Sequence, residues 1–203
     1  MMLFLVLYSL FAAGTSSQHD LVISSPHSTA RALSALPFTE HDITTSASSV
    51  RSVYSIDIDG DGDLDVLSAS FNDDTVAWYE NDGNQAFTKH DISTTADGAI
   101  SVFAIDVDGD GDIDALSASN VDNSIPWYEN DGTQVFTKHA ITTSALGAYS
   151  VFAIDIDGDD DIDVLSGSHN DDTVAWYEND GSQGFTDHLI TNVCHRCGWR
   201  RRY

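Results

Sequence analysis

Three unrelated landmarks recur at a single spacing. Asp57, Asp106 and Asp155 each open an acid-rich run, 49 residues apart. Trp78, Trp127 and Trp176 keep the same interval, each followed by Tyr-Glu-Asn-Asp-Gly. Phe38, Phe87, Phe136 and Phe185 keep it too, each opening F-T-x-H-x-I. A period in this range means stacked structural units, each unable to bury its apolar surface alone. The chain therefore holds three full repeats and one leading part-repeat.

Each repeat reads as short strands punctuated by turns. Ser52 to Ile56 (SVYSI) and its copies from Ser101 and Ser150 are rich in β-formers. DVLSAS from Asp65 follows the acidic run. Asn72-Asp73-Asp74 marks a turn before TVAWYE at Thr75. Asn81-Asp82-Gly83-Asn84 marks another before FTKHDI at Phe87. No segment sustains a 3.6-residue period. Four short strands per unit is the pattern of a propeller blade. Blades pack on both faces, which accounts for strands that are apolar or small on both sides. The expected fold is all-β: a partial β-propeller of about three four-stranded blades plus one leading strand. The repeats fall at 52–92, 101–141 and 150–190, with Phe38 to Ile43 as the last strand of an earlier blade.

Charge narrows the function classes. The chain carries 33 Asp plus Glu against 8 Lys plus Arg, a net charge of −25. That excludes nucleic acid as a partner, because neutralising phosphates needs clustered cations. Sixteen of the acids sit in three nine-residue runs: DIDGDGDLD, DVDGDGDID and DIDGDDDID. Like charges packed this densely repel by ~1 kcal/mol per close pair even in water, so the runs call for a cation. Calcium suits them, as a hard ion that takes about 6–8 oxygens in flexible geometry. In the first run Asp57, Asp59 and Asp61 stand at positions 1, 3 and 5, and Asp63 at position 7 would lend its carbonyl. Gly62 permits a turn with positive φ, and Asp65 supplies a closing carboxylate. The Glu that closes a helical calcium loop at position 12 is absent; Ser68, Ser117 and Ser166 stand there. Magnesium resists a protein-derived cage, and transition metals prefer His or Cys. The third run has Asp160 where the others have Gly62 and Gly111.

The run V-x-x-I-D-x-D-G-D-G-D-x-D-x-L-S-A-S, followed by W-Y-E-N-D-G-x-x-x-F, resembles the FG-GAP/VCBS repeats. These are similar to blades of the integrin α-subunit N-terminal β-propeller. The resemblance covers about Phe38 to Thr191. It implies one calcium ion in the loop between the first two strands of each blade, about three in all. The matching ligand positions are Asp57, Asp59, Asp61, Asp63 and Asp65; Asp106, Asp108, Asp110, Asp112 and Asp114; and Asp155, Asp157, Asp159, Asp161 and Asp163. It also implies an extracellular setting. Typical rings of this kind have more blades, which leaves a truncated gene product, an open arc, or a ring built from two or more chains. Truncation leads among these expectations.

The ends differ from the repeats. Met1 to Ala13 is an apolar run of signal-peptide size, with cleavage expected after Gly14. Residues 15–37 read as linker. No apolar stretch reaches the ~18–20 residues of a membrane span. Residues 192–203 form an atypical basic tail that holds Cys194 and Cys197, read as foreign to the repeat pattern.

These features point to a secreted, calcium-stabilised interaction or adhesion scaffold without catalytic residues. Its expected partner is an extracellular protein or glycan, and self-association through open blade faces is a further expectation. Enzymatic function is disfavoured: the loop acids are assigned to metal, and His41, His90, His139 and His188 recur with the repeat, as packed residues do. The alternatives are a carbohydrate-binding propeller or part of a larger extracellular enzyme or receptor. Sugar stacking would require exposed Tyr79, Tyr128 and Tyr177; the repeated Trp and Tyr are expected to fill the space between blades instead.

Overall fold

A computed structural model describes residues 39–192. The expected signal, linker and Cys194/Cys197 tail lie outside the described residues, as does Phe38. Twelve strands are present, and no helix occurs among the described residues. Blade one comprises β1 (Val50–Ile56), β2 (Asp65–Ser70), β3 (Thr75–Asn81) and β4 (Phe87–Ser93). Blade two comprises β5 (Ala99–Ile105), β6 (Asp114–Ser119), β7 (Ile125–Asn130) and β8 (Phe136–Thr142). Blade three comprises β9 (Ala148–Ile154), β10 (Asp163–Ser168), β11 (Thr173–Asn179) and β12 (Phe185–Asn192). Each blade is a four-stranded antiparallel meander in chain order.

The leading strand does not form: residues 39–43 carry no strand assignment. An outermost strand needs a neighbouring strand to satisfy its backbone groups, and the described residues offer none.

Blade two departs from its neighbours at β7, where Pro126 replaces the Ala77 and Ala175 of the other blades. Proline has no N–H to give to a ladder. The β6–β7 ladder accordingly has two regular pairs, Ala115↔Tyr128 and Leu116↔Trp127, against five between β2 and β3. The bulge between Ile125 and Pro126, by contrast, is shared: the other blades have it between Val76 and Ala77 and between Val174 and Ala175.

Two apolar clusters occupy the two seams. Between blades one and two, Ile58, Val76 and Trp78 of the first meet Val102, Ala104 and Tyr128 of the second. Between blades two and three, Val107, Ile125 and Trp127 meet Val151, Ala153 and Tyr177. The residues at equivalent repeat positions fill both seams. Each blade thus has a front face, towards the next blade, and a back face, towards the one before. An aromatic ladder crosses both seams along the first strands: Tyr54–Phe103 at 4.8 Å and Phe103–Phe152 at 4.7 Å between ring centres. One hydrogen bond also repeats. The Val102 N–H donates to Ser52 Oγ, and the Val151 N–H donates to Ser101 Oγ, each at 3.3 Å.

The Trp and Tyr of the repeated Trp-Tyr pairs pack in the core, as expected. Trp78, Trp127, Tyr79, Tyr128 and Tyr177 are buried, and Trp176 is partly so. Buried tyrosines offer no platform for a sugar ring.

Candidate metal centres

The acidic runs form the loops that join the first and second strands of each blade. Their local fold follows from carboxylates that cap their own backbone. Asp57 Oδ1 accepts from the Gly60 N–H at 2.8 Å, and its Oδ2 from the Gly62 N–H at 2.9 Å. Asp106 does the same with Gly109 and Gly111, and Asp155 with Gly158 and Asp160. Such side-chain-to-backbone bonds coil the chain in place of a ladder. The sixth position carries positive φ in every loop: 97° at Gly62, 100° at Gly111 and 74° at Asp160.

The ninth residue of each loop is a buried carboxylate that ties three segments together. Asp65 Oδ2 accepts from Ile58 N–H inside the loop, and Oδ1 accepts from Asn81 N–H at the end of β3. Asp114 repeats this with Val107 and Asn130, and Asp163 with Ile156 and Asn179. The asparagine returns the bond: its Nδ2 donates to the carbonyl of Leu64, Ile113 or Ile162. Sequence reading placed these aspartates in the loops and missed the asparagines. Their constant offset of 16 residues from the aspartate was the available signal.

Carboxylate oxygens converge to within 4.8 Å of one another in all three loops: Asp57, Asp59 and Asp61; Asp106, Asp108 and Asp114; Asp155, Asp157 and Asp163. The other six expected positions contribute differently. Asp65 is engaged in the tie just described. Asp110 and Asp159 accept backbone N–H groups from Asp112 and Asp161, as Asp61 does from Asp63. Asp63, Asp112 and Asp161 turn their side chains onto Gly83, Gly132 and Gly181 in the Asn-Asp-Gly turns. A Cβ at any of these glycines would strike the carboxylate, and each also has positive φ. A seventh-position side chain directed away from the loop is compatible with the carbonyl role expected of Asp63.

The loop electrostatics are those of crowded, partly buried anions. Burial pushes the Asp114 carboxyl up to about 7, against the two amides that favour its charged form. Burial, and then repulsion from neighbouring loop aspartates, raises Asp59, Asp65 and Asp108 as well. Among the described residues, no lysine, arginine or histidine forms an ion pair with a loop aspartate. The donor set is all oxygen, crowded and anionic, and it fits a hard divalent cation.

The loops also touch the next blade. Gln183, in the turn after β11 and at φ 65°, donates from Nε2 to Asp108 Oδ2 at 3.2 Å. Away from the loops, a second repeated group appears. His90, His139 and His188 stack on Trp78, Trp127 and Trp176 at 4.6–4.7 Å. Their Nε2 atoms lie 2.6–2.8 Å from Glu80, Glu129 and Glu178. These histidines are packed and hydrogen-bonded, in keeping with a structural role.

No curated protein matches the chain. The family model for the FG-GAP-like repeat matches residues 57–117 and again 106–166, each match running from one acidic loop through the next. Together the two matches span more than half of the sequence and all three loops, so the chain belongs to the FG-GAP-like repeat family.

Proposed function

We propose that this protein is a secreted, calcium-binding β-propeller-type module that serves as a non-catalytic interaction or adhesion scaffold. The observation that carries the reading is the threefold convergence of carboxylate oxygens in loops with no cationic partner among the described residues. Asp57, Asp59 and Asp61 in the first loop, Asp106, Asp108 and Asp114 in the second, and Asp155, Asp157 and Asp163 in the third would each hold an ion. What the ion supplies is charge neutralisation, which ties the exit of one strand to the start of the next. The family assignment supports an extracellular setting, and no helix among the described residues is long and apolar enough to cross a membrane. The partner class is an extracellular protein or glycan.

A ligand that binds only the folded state stabilises it by RT ln(1 + [L]/Kd). At ~1 mM free calcium and a Kd of ~0.1 mM this is about 1.4 kcal/mol per site. Over three loops the melting temperature should rise by on the order of 10 °C. Thermal melts in millimolar calcium and in excess chelator test this. Superimposable melts would remove calcium from the account.

A further inference from the structure

The two internal seams are one contact made twice, and the halves of a third copy of it stand at opposite ends of the array. At the front of blade three, Phe152 is 45% exposed, Ile156 41% and Val174 42%. Their counterparts at the covered front of blade two, Val107 and Ile125, are 2% and 0% exposed. At the back of blade one, Val53 is 65% exposed, while Val102 and Val151 at the same repeat position are 5%. A depression of about 480 Å³ on the front of blade three is lined by Tyr149, Gly167, His169 and Val174.

We propose that the front face of blade three receives the back face of blade one from a second copy of this chain, and that two copies close in this way into a six-bladed ring. The fit is specified by the internal seams. Phe152 is the open rung of the Tyr54–Phe103–Phe152 ladder, and Tyr54 of the second copy continues it. Ser150 takes the place of Ser52 and Ser101, and the Val53 N–H takes that of Val102 and Val151. Val53 enters the pocket of Ile156, Val174 and Trp176, as Val102 enters that of Ile58, Val76 and Trp78. Front-to-front pairing would bring together two front faces and leave out the back-face Val N–H that completes each internal seam bond. A front-to-back contact either closes into a ring or propagates as a filament. Closed propellers have about 4–8 blades, which admits two copies of three and excludes three copies.

The test is sedimentation velocity on the full chain in millimolar calcium and physiological salt, over a range of concentrations. Three variants accompany it: Val53→Asp, Val174→Asp and, outside both faces, Val135→Asp. The wild type and Val135→Asp should sediment at twice the 22.0 kDa chain mass. Val53→Asp and Val174→Asp should each lose at least tenfold in association while keeping a wild-type circular dichroism spectrum. Mixed in equal amounts, these two retain one intact seam between the front of the first and the back of the second, and pair again. A monomer at every concentration would overturn the proposal. So would a dimer that tolerates both aspartates, an open series of larger species, or two variants that stay apart when mixed. None of these readings depends on how many ions the loops bind.

Discussion

Blades two and three have nearly the same sequence and different surroundings. Leu116 and Ile125 are fully buried in blade two, whereas Leu165 is partly open and Val174 is 42% exposed in blade three. Val107, at the mouth of the second loop, is 2% exposed, and its counterpart Ile156 is 41% exposed. The difference shows that burial in this fold is a property of the neighbour as much as of the residue. Stability is a sum of repeat terms and seam terms, and blade two has both of its seams.

That contrast should be visible in mutants. The largest effect is expected from removing the buried tie. Asp114→Ala leaves the amides of Val107 and Asn130 without partners in a dry seam and should cost about 3–5 kcal/mol. Asp163→Ala frees the same two amides, but Ile156 borders water, so about 1–3 kcal/mol is expected. Urea unfolding of the two variants measures the gap, and equal losses would mean that the seam does not set the cost. Next, Leu116→Ala should cost about 3–4 kcal/mol and Leu165→Ala about 1–2, since an open site leaves a smaller cavity.

A pH series sharpens the same comparison through the loops. The Asp114 pKa is raised in the folded state to about 7, from an ordinary value near 3.8. A raised carboxyl favours folding while it is protonated, and that contribution is lost as pH rises from about 4 through 7. Asp59, Asp65 and Asp108 act in the same direction. Asp82 and Asp131, lowered by hydrogen bonds in their turns, act in the opposite one. In chelator, the melting temperature should therefore fall between pH 5 and pH 8. Calcium favours the ionised loops, so its stabilising effect should grow over the same interval. A calcium effect that is constant with pH would contradict the loop carboxylates as its origin. The smallest effect is expected at Asp160, which holds φ 74° where the other loops have glycine. Asp160→Gly relieves that conformation and removes one charge, and should stabilise the calcium-free chain by about 0.5–1 kcal/mol.

The strands and loops were legible because their signals are local. Strand-forming runs bounded by Asn-Asp-Gly turns and by acidic runs set the twelve elements, and the Phe87 and Trp127 repeats announced stacked units. Contacts between segments were less legible. Nothing in an aspartate at the ninth position says that both of its oxygens will be taken by amides, because that depends on how β3 ends. The Trp–His–Glu groups require the register that places Trp78 opposite His90, which a list of repeated residues does not contain. The leading strand was overread from F-T-x-H-x-I alone: the motif marks an outer strand only where a third strand stands ready to pair with it.

The seam hydrogen bonds bear on how the array folds. Ser52 and Val102 are 50 residues apart, as are Ser101 and Val151, and the loop contact of Gln183 with Asp108 spans 75. Each of these links joins a blade only to its immediate neighbour. The sequence separation that slows β-rich folding thus stays below two repeat lengths and does not grow with chain length. An ancestor could have gained or lost whole blades by duplication or deletion without a slower search for the native state. Blade number would then be freer to vary than the blade itself.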